Sequence, residues 1–379
     1  MTYKIPFNRF CFTGNEQRYM SEAVQNGHIS GDGLFTKRCH ALLEEQLGVP
    51  KALLTTSCTH ALEMCGLLLN LQPGDEFIVP SFTFVSTVNA FALRGAVPRF
   101  ADIRTDTLNI DESRIEELIT PKTKAIVVVH YAGVACEMDV ITKIAQRYGI
   151  ALVEDNAHGL FGKYKGRPLG SLGSLGALSF HETKNFSCGE GGAILVNESS
   201  LVDRAEIIRE KGTNRSQFFR GEVDKYTWVD VGSSYLPSEI LAAFLYAQLE
   251  ARIEIQTKRR RIWSYYYEHL SSWAASHGAV VPHVPDYCEQ SFHMFYLLMP
   301  NLERRQSLIE HLKRNGILTV FHYLPLHVSR MGQKYGGELG DCPVSESVSD
   351  RLVRLPFYNE LTELQQVEIL DVMQRWPPV

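Results

Sequence analysis

The stretch Ala177-Leu178-Ser179-Phe180-His181-Glu182-Thr183-Lys184-Asn185 leads from a strand-like run through Lys184 to Gly189-Glu190-Gly191-Gly192. Twenty-nine residues before that lysine, Asp155 lies in Val153-Glu154-Asp155-Asn156-Ala157-His158, an acidic pair closing a second apolar run. A solitary lysine in a βα loop reads as a solvated side chain. Paired with Asp155, it matches what pyridoxal phosphate (PLP) chemistry asks of a protein. The amine condenses with the cofactor aldehyde, and the carboxylate keeps the pyridine nitrogen protonated, as an adjacent opposite charge does. A lysine whose pKa is lowered by its surroundings also suits proton transfer at the substrate carbon. Lys184 and Asp155 are thus the candidate catalytic residues.

Around them, short apolar runs alternate with helical patterns. The strand candidates are Ala52–Thr55, Phe77–Val79, Arg99–Asp102, Ala125–His130, Ala151–Glu154, Ala177–Phe180 and Ala193–Val196, with a helix over Met138–Tyr148. Such alternation predicts an α/β fold with a mainly parallel sheet covered by helices on both faces. Every candidate cofactor residue falls at a strand's carboxyl end or in the loop after it, where such sheets bind ligands. Ser57-Cys58-Thr59-His60 opens a helix running to about Asn70, and an N-terminus with small hydroxylated residues can cradle a phosphate. Ser179 could add a hydroxyl from its strand end. Within Pro80–Thr87 an aromatic could stack on the cofactor ring, while Phe82 reads as core. From about Ser238 one long helical pattern runs towards Leu270. Beyond it, His293–Met299 and Leu318–Tyr323 read as strands, and Gln306–Asn315 and Leu364–Trp376 as helices. The division expected is a large domain over 1–250 and a smaller C-terminal α+β domain over 251–379.

Composition excludes several classes. The chain has 379 residues, 45% apolar and 21% charged, the profile of a globular enzyme with a large core. No apolar run reaches the ~18 residues of a membrane span, and the N-terminus lacks a signal peptide's apolar segment, so a cytoplasmic protein is expected. The eight cysteines show no C-x-x-C or Cys/His cluster, which reads as reduced thiols and no metal. Lys258-Arg259-Arg260-Arg261 falls inside the long helical pattern and reads as a solvated face, so no nucleic-acid partner is expected. A net charge of −5 gives no general attraction for an anionic substrate, whose phosphates need local cations.

Together these segments resemble the DegT/DnrJ/EryC1/StrS sugar aminotransferases, within the fold type I PLP enzymes, over essentially the whole chain. The resemblance rests on Gly31-Asp32-Gly33, Pro80–Thr87, Glu154–His158, the Lys184 block with Gly189–Gly192, and Phe321-His322-Tyr323-Leu324-Pro325-Leu326-His327. It implies Lys184 as the imine-forming lysine, Asp155 as the pyridinium partner and His158 beside the ring hydroxyl. It implies Phe84 as the stacking aromatic, and Thr59, Cys58 (through its backbone) and Ser179 as phosphate ligands. The family's Gly-x-Asn stretch, whose Asn reaches the neighbouring subunit's cofactor phosphate, is here Gly232-Ser233-Ser234-Tyr235; Ser234 can still donate, with shorter reach.

Segments outside the shared chemistry, Glu210–Gly221 with Val223–Trp228 and His130–Asp139, resemble a subgroup that forms a dTDP-linked 4-amino-4,6-dideoxygalactose. That implies L-glutamate and a nucleotide-linked keto-deoxysugar as substrates, an assembly of at least a dimer, and a role in lipopolysaccharide or other surface polysaccharide synthesis. Arg215, Arg220, Lys225 and His322 are the candidate substrate contacts. Arginine suits a diphosphate through its two-pronged donor geometry. Related sugar dehydratases replace the lysine with histidine, so Lys184 argues against that reaction.

Overall fold

The run Thr123-Lys124-Ala125-Ile126-Val127-Val128-Val129 is buried from Ala125 onward, as a strand covered on both faces must be. In the computed structural model, which describes residues 3–377, it is strand β4 of a seven-stranded sheet. The other strands are β1 (Lys51–Thr55), β2 (Glu76–Pro80), β3 (Val97–Ala101), β5 (Ala151–Asp155), β8 (Leu175–Ser179) and β9 (Gly192–Val196), in the order β1-β9-β8-β5-β4-β2-β3. Only β9 runs against the rest. Each of the seven strands predicted for this sheet is present within two residues. A hairpin of β6 (Lys163–Tyr164) and β7 (Arg167–Pro168) pairs separately with β10 (Cys288–Glu289).

Alternating residues divide the sheet's two faces. Leu53, Phe77, Val79, Val127, Val153 and Ala177 pack beneath α3 (Cys58–Leu68), α4 (Val85–Ala92) and α6 (Val202–Arg209). On the opposite face, Ile126, Val128 and Leu152 meet α5 (Met138–Tyr148), while Leu54, Leu178 and Leu195 meet α2 (Leu34–Leu47) and α8 (Glu239–Glu250). α1 (Glu16–Gln25) lies against α8. The Gly31-Asp32-Gly33 motif is structural: a Cβ on Gly33 would sit 2.6 Å from Cδ of Glu239, which caps the start of α2, and Asp32 receives the Arg209 guanidinium at 2.8 Å.

The expected single helix beyond Ser238 is two, α8 and α9 (Arg252–Ser276), broken at Ala251, whose ψ of 11° leaves the helical ladder. Arg259 corrects the expectation of a solvated basic face. It is buried, donating to the Phe292 carbonyl at 2.9 Å and to Asn359 at 3.1 Å, and lies over the Phe357 ring. A separate core joins α9 to α10 (Leu302–Arg314), α13 (Glu363–Gln374) and Phe295–Met299, and it includes Ile5 from the N-terminal segment. In that region β11 (Tyr296–Leu298) pairs with β12 (Leu352–Arg354). The expected strand over Leu318–Tyr323 reduces to a single bridge between Val320 and Arg354, because most of the segment turns away to line the cavity described below. α7 (Arg215–Phe219), α11 (Arg330–Lys334) and α12 (Pro343–Arg351) complete the α-helices of the described residues. Among the described residues no helix is long and apolar enough to cross a membrane.

Candidate active site

A cavity of about 760 Å³ opens at the carboxyl edge of the sheet. β1, β5 and β8 all end there, with Thr55 and Ser179 both in register with Gly192 and Asp155 opposite Ala177. Gly192 is required at this corner, since a Cβ would meet the Cys58 amide nitrogen at 2.4 Å. Two helices, α3 and α4, start at the cavity wall, so their N–H groups and dipole ends favour an anion there. Ser57 caps α3 by accepting from the His60 amide at 3.1 Å, and Thr59 donates its hydroxyl to Ser86 at 2.8 Å.

Strand alternation splits the acidic pair of β5. Glu154 turns to the α5 face, where it accepts from the amides of Gly170, Leu172 and Gly173 at 2.6–2.8 Å. His130 Nδ1 accepts from the Cys136 amide, so its Nε2 carries the proton and donates to Glu154 at 2.8 Å. Glu154 therefore holds structure, and Asp155 alone faces the cavity. Thr87 donates to Asp155 Oδ2 at 2.7 Å and the Ala157 amide to Oδ1 at 3.2 Å, while Thr83 bonds Thr87 at 2.8 Å. Burial raises the Asp155 pKa, opposed by these hydrogen bonds and by Lys184. Lys184 stands in the same cavity, and burial lowers its pKa against the opposing pull of Asp155. Its loop is pinned by the Glu182 amide to the Gly189 carbonyl at 2.9 Å, and by Asn8 to the Glu182 carbonyl at 3.3 Å.

Cys58, Thr59, Phe84, Asp155, His158, Ser179, Lys184 and His322, named from sequence, all line this cavity. Phe82 is buried core, whereas Phe84 is 56% exposed and presents its ring to the cavity. The structure does not bring in Ser234, Arg215, Arg220 or Lys225. Ser234 is exposed and bridges Glu210. Arg215 pairs with Glu210 at 3.3 Å, and Arg220 is held by Glu206 at 2.6 Å and Glu222 at 2.7 Å. Lys225 lies exposed in the same loop.

Sequence reasoning missed Thr87, His293, Arg354 and Phe7. Thr87 ends the Pro80–Thr87 segment; the others come from distant segments with no local signal. His293 stacks on His158, ring centres 4.2 Å apart, and Asn185, next to the lysine, fixes its Nδ1 at 2.9 Å. Tyr131 bonds His322 Nδ1 at 2.9 Å. His158 Nδ1 is buried without a partner, so a polar group on a ligand is what would satisfy it. That orphan nitrogen, the anion-favouring helix starts, Asp155 and Lys184 together fit a PLP-sized, phosphorylated pyridine.

A sequence profile of the DegT/DnrJ/EryC1/StrS aminotransferase family matches residues 11–374. The chain belongs to that family. A relative from Methanocaldococcus jannaschii, described as uncharacterized, is 33% identical over 98% of this chain and 97% of its own. The spore coat polysaccharide biosynthesis protein SpsC of Bacillus subtilis is 29% identical over 98% of this chain and 96% of its own. Among solved structures, Spr1654 of Streptococcus pneumoniae in its PLP-form superposes with a TM-score of 0.89 at 26% identity, covering 99% of this chain and 100% of that one. It is also solved in a PMP-form. This aminotransferase has the fold of the type I PLP enzymes, and PLP is its cofactor.

Burial holds His158, His293 and His322 neutral, with pKa values well below 6.5. Unfolded, each takes up a proton near pH 6.5, so below that pH the unfolded chain binds more protons than the aminotransferase fold does. Stability from these groups is full above pH 6.5 and falls as the pH drops through it. Each then costs ~1.4 kcal/mol per pH unit. Urea unfolding of cofactor-free protein at several pH values should give a decline that His293→Gln flattens by about that amount. An unchanged slope in the variant would show that His293 is not held neutral.

Proposed function

We propose that the enzyme transfers the amino group of L-glutamate to the 4-keto carbon of dTDP-4-keto-6-deoxy-D-glucose, giving dTDP-4-amino-4,6-dideoxy-D-galactose and 2-oxoglutarate. One observation carries the transamination: Lys184 and Asp155, both perturbed by burial, face one cavity whose remaining wall fits the cofactor. Bound there, PLP serves as the electron sink for the substrate carbon. Asp155 would hold the ring nitrogen's proton, the α3 N-terminus with Thr59 and Ser179 the phosphate, and His158 Nδ1 the ring oxygen. Lys184, its ammonium disfavoured by burial, would move the proton at the substrate carbon.

The sugar-nucleotide assignment rests on the resemblance of Glu210–Trp228 and His130–Asp139 to the subgroup. SpsC, a polysaccharide biosynthesis protein, is consistent with a surface polysaccharide role. We further propose a homodimer that shares its sites, with a large domain over 1–250 and a small one over 251–379, of which residues 1, 2, 378 and 379 lie outside the described set. Phe219, at the end of α7, and Tyr226 and Trp228 in the loop after it are 51–75% exposed, an apolar patch suited to an interface. Ser234, Arg215, Arg220 and Lys225, which do not line their own chain's cavity, would then serve the partner's.

The test presents dTDP- and GDP-linked 4-keto-6-deoxyhexoses side by side with L-glutamate, and reads product configuration by NMR. Turnover of the dTDP sugar to the galacto amine is expected. Preference for the GDP sugar, or a gluco product, would refute the substrate named.

A further inference from the structure

Arg354 closes β12 and lines the same cavity as Lys184. Among the described cavity residues Arg354 carries the one guanidinium, while burial disfavours the Lys184 ammonium and keeps His158, His293 and His322 neutral. The cavity carboxylates are Asp155, already engaged by Thr87 and Ala157, and Glu190, whose side chain is 70% exposed and 3.7 Å from His181. Neither reaches Arg354. The guanidinium's one protein hydrogen bond is a long 3.4 Å contact from Nη2 to the Phe321 carbonyl, and its Nε is buried without a partner. Phe7 covers one face of the guanidinium, with Cζ 4.7 Å from the ring centre. That packing fixes the plane and leaves the edge, where the donors lie, for a ligand.

A half-buried guanidinium with no carboxylate beside it is unfavourable, and desolvation accordingly lowers the Arg354 pKa. An amino-acid donor brings the missing anion. Its amine must reach Lys184, and its carboxylate is attached to the same carbon. A sugar nucleotide offers only neutral hydroxyls near its reacting carbon, with the diphosphate further out. We propose that Arg354 grips a carboxylate of the amino-acid donor with a two-pronged hydrogen bond, and so selects amino acids over simple amines. This rests on the transamination proposed above.

PLP-loaded wild type and Arg354→Gln are titrated spectroscopically with two amines. 2-Methyl-L-glutamate lacks the α-hydrogen and stops at binding; n-butylamine has no carboxylate. The methylglutamate affinity should fall about 10²-fold while butylamine binding holds, so that the preference collapses. The keto-sugar half-reaction of the PMP-loaded variant should fall far less than the methylglutamate affinity. An unchanged preference, or a loss confined to the keto-sugar half-reaction, would overturn the assignment. Should Arg354→Gln fail to fold, Arg354→Lys keeps the charge and loses the fork. Its preference should also drop, and an undiminished one overturns the two-pronged grip. Wild type that responds to no amino acid would instead remove the transamination itself.

Discussion

Lys184→Ala is expected to give a folded protein that takes up PLP yet shows no imine absorption band and no measurable transamination. Among the described residues lining the cavity Lys184 is the one lysine, so no second lysine is placed there to condense with the aldehyde. Its side chain leaves space at the cavity edge rather than a void in a packed core, so the fold should persist. Loss of the proton-transfer group alone is worth about 10²–10⁴ in rate, and loss of the covalent route adds to it. Absorbance spectra and glutamate turnover of the PLP-loaded variant check both parts. A retained imine band would assign the condensing amine to another residue.

Asp155→Asn should keep the fold and the cofactor while losing ~10² or more of the rate. The amide is the same size as the carboxylate; its oxygen can still accept from the Ala157 amide while its NH2 donates to the Thr87 hydroxyl, which is free to turn. Removing a buried charge relieves the desolvation that raises the Asp155 pKa, so stability should not suffer. What is lost is the negative charge that favours a protonated ring nitrogen. Near-normal turnover with cofactor bound would exclude that role.

The two effects trace back to parts of the chain with different legibility. Lys184 and Asp155 were readable because each belongs to a local pattern, an apolar run ending at the sheet's carboxyl edge, and that edge is where an α/β fold places its chemistry. The helix over Met138–Tyr148 was readable for the same reason: its apolar positions recur with the helical period, and Gly149 at φ 62° ends it. The long pattern after Ser238 misled because Ala251 gives no sign of a break in composition, and Arg259 misled because a basic run says nothing of which member turns inward. His293 and Arg354 reach the cavity only through tertiary packing, one beside Asn185 and the other at the end of a three-residue strand. Neither has a local signal, since what makes them functional is a neighbour more than a hundred residues away. The split of Glu154 from Asp155 was implicit in strand alternation, yet naming which one faces the cofactor needed the helices on each side.

Transamination itself is tested most directly by adding L-glutamate to the PLP-loaded enzyme without any keto-sugar. The imine band should bleach with release of one equivalent of 2-oxoglutarate per site, and the band should return when the keto-sugar nucleotide is added. A band that glutamate leaves untouched, with no 2-oxoglutarate formed, would contradict the account.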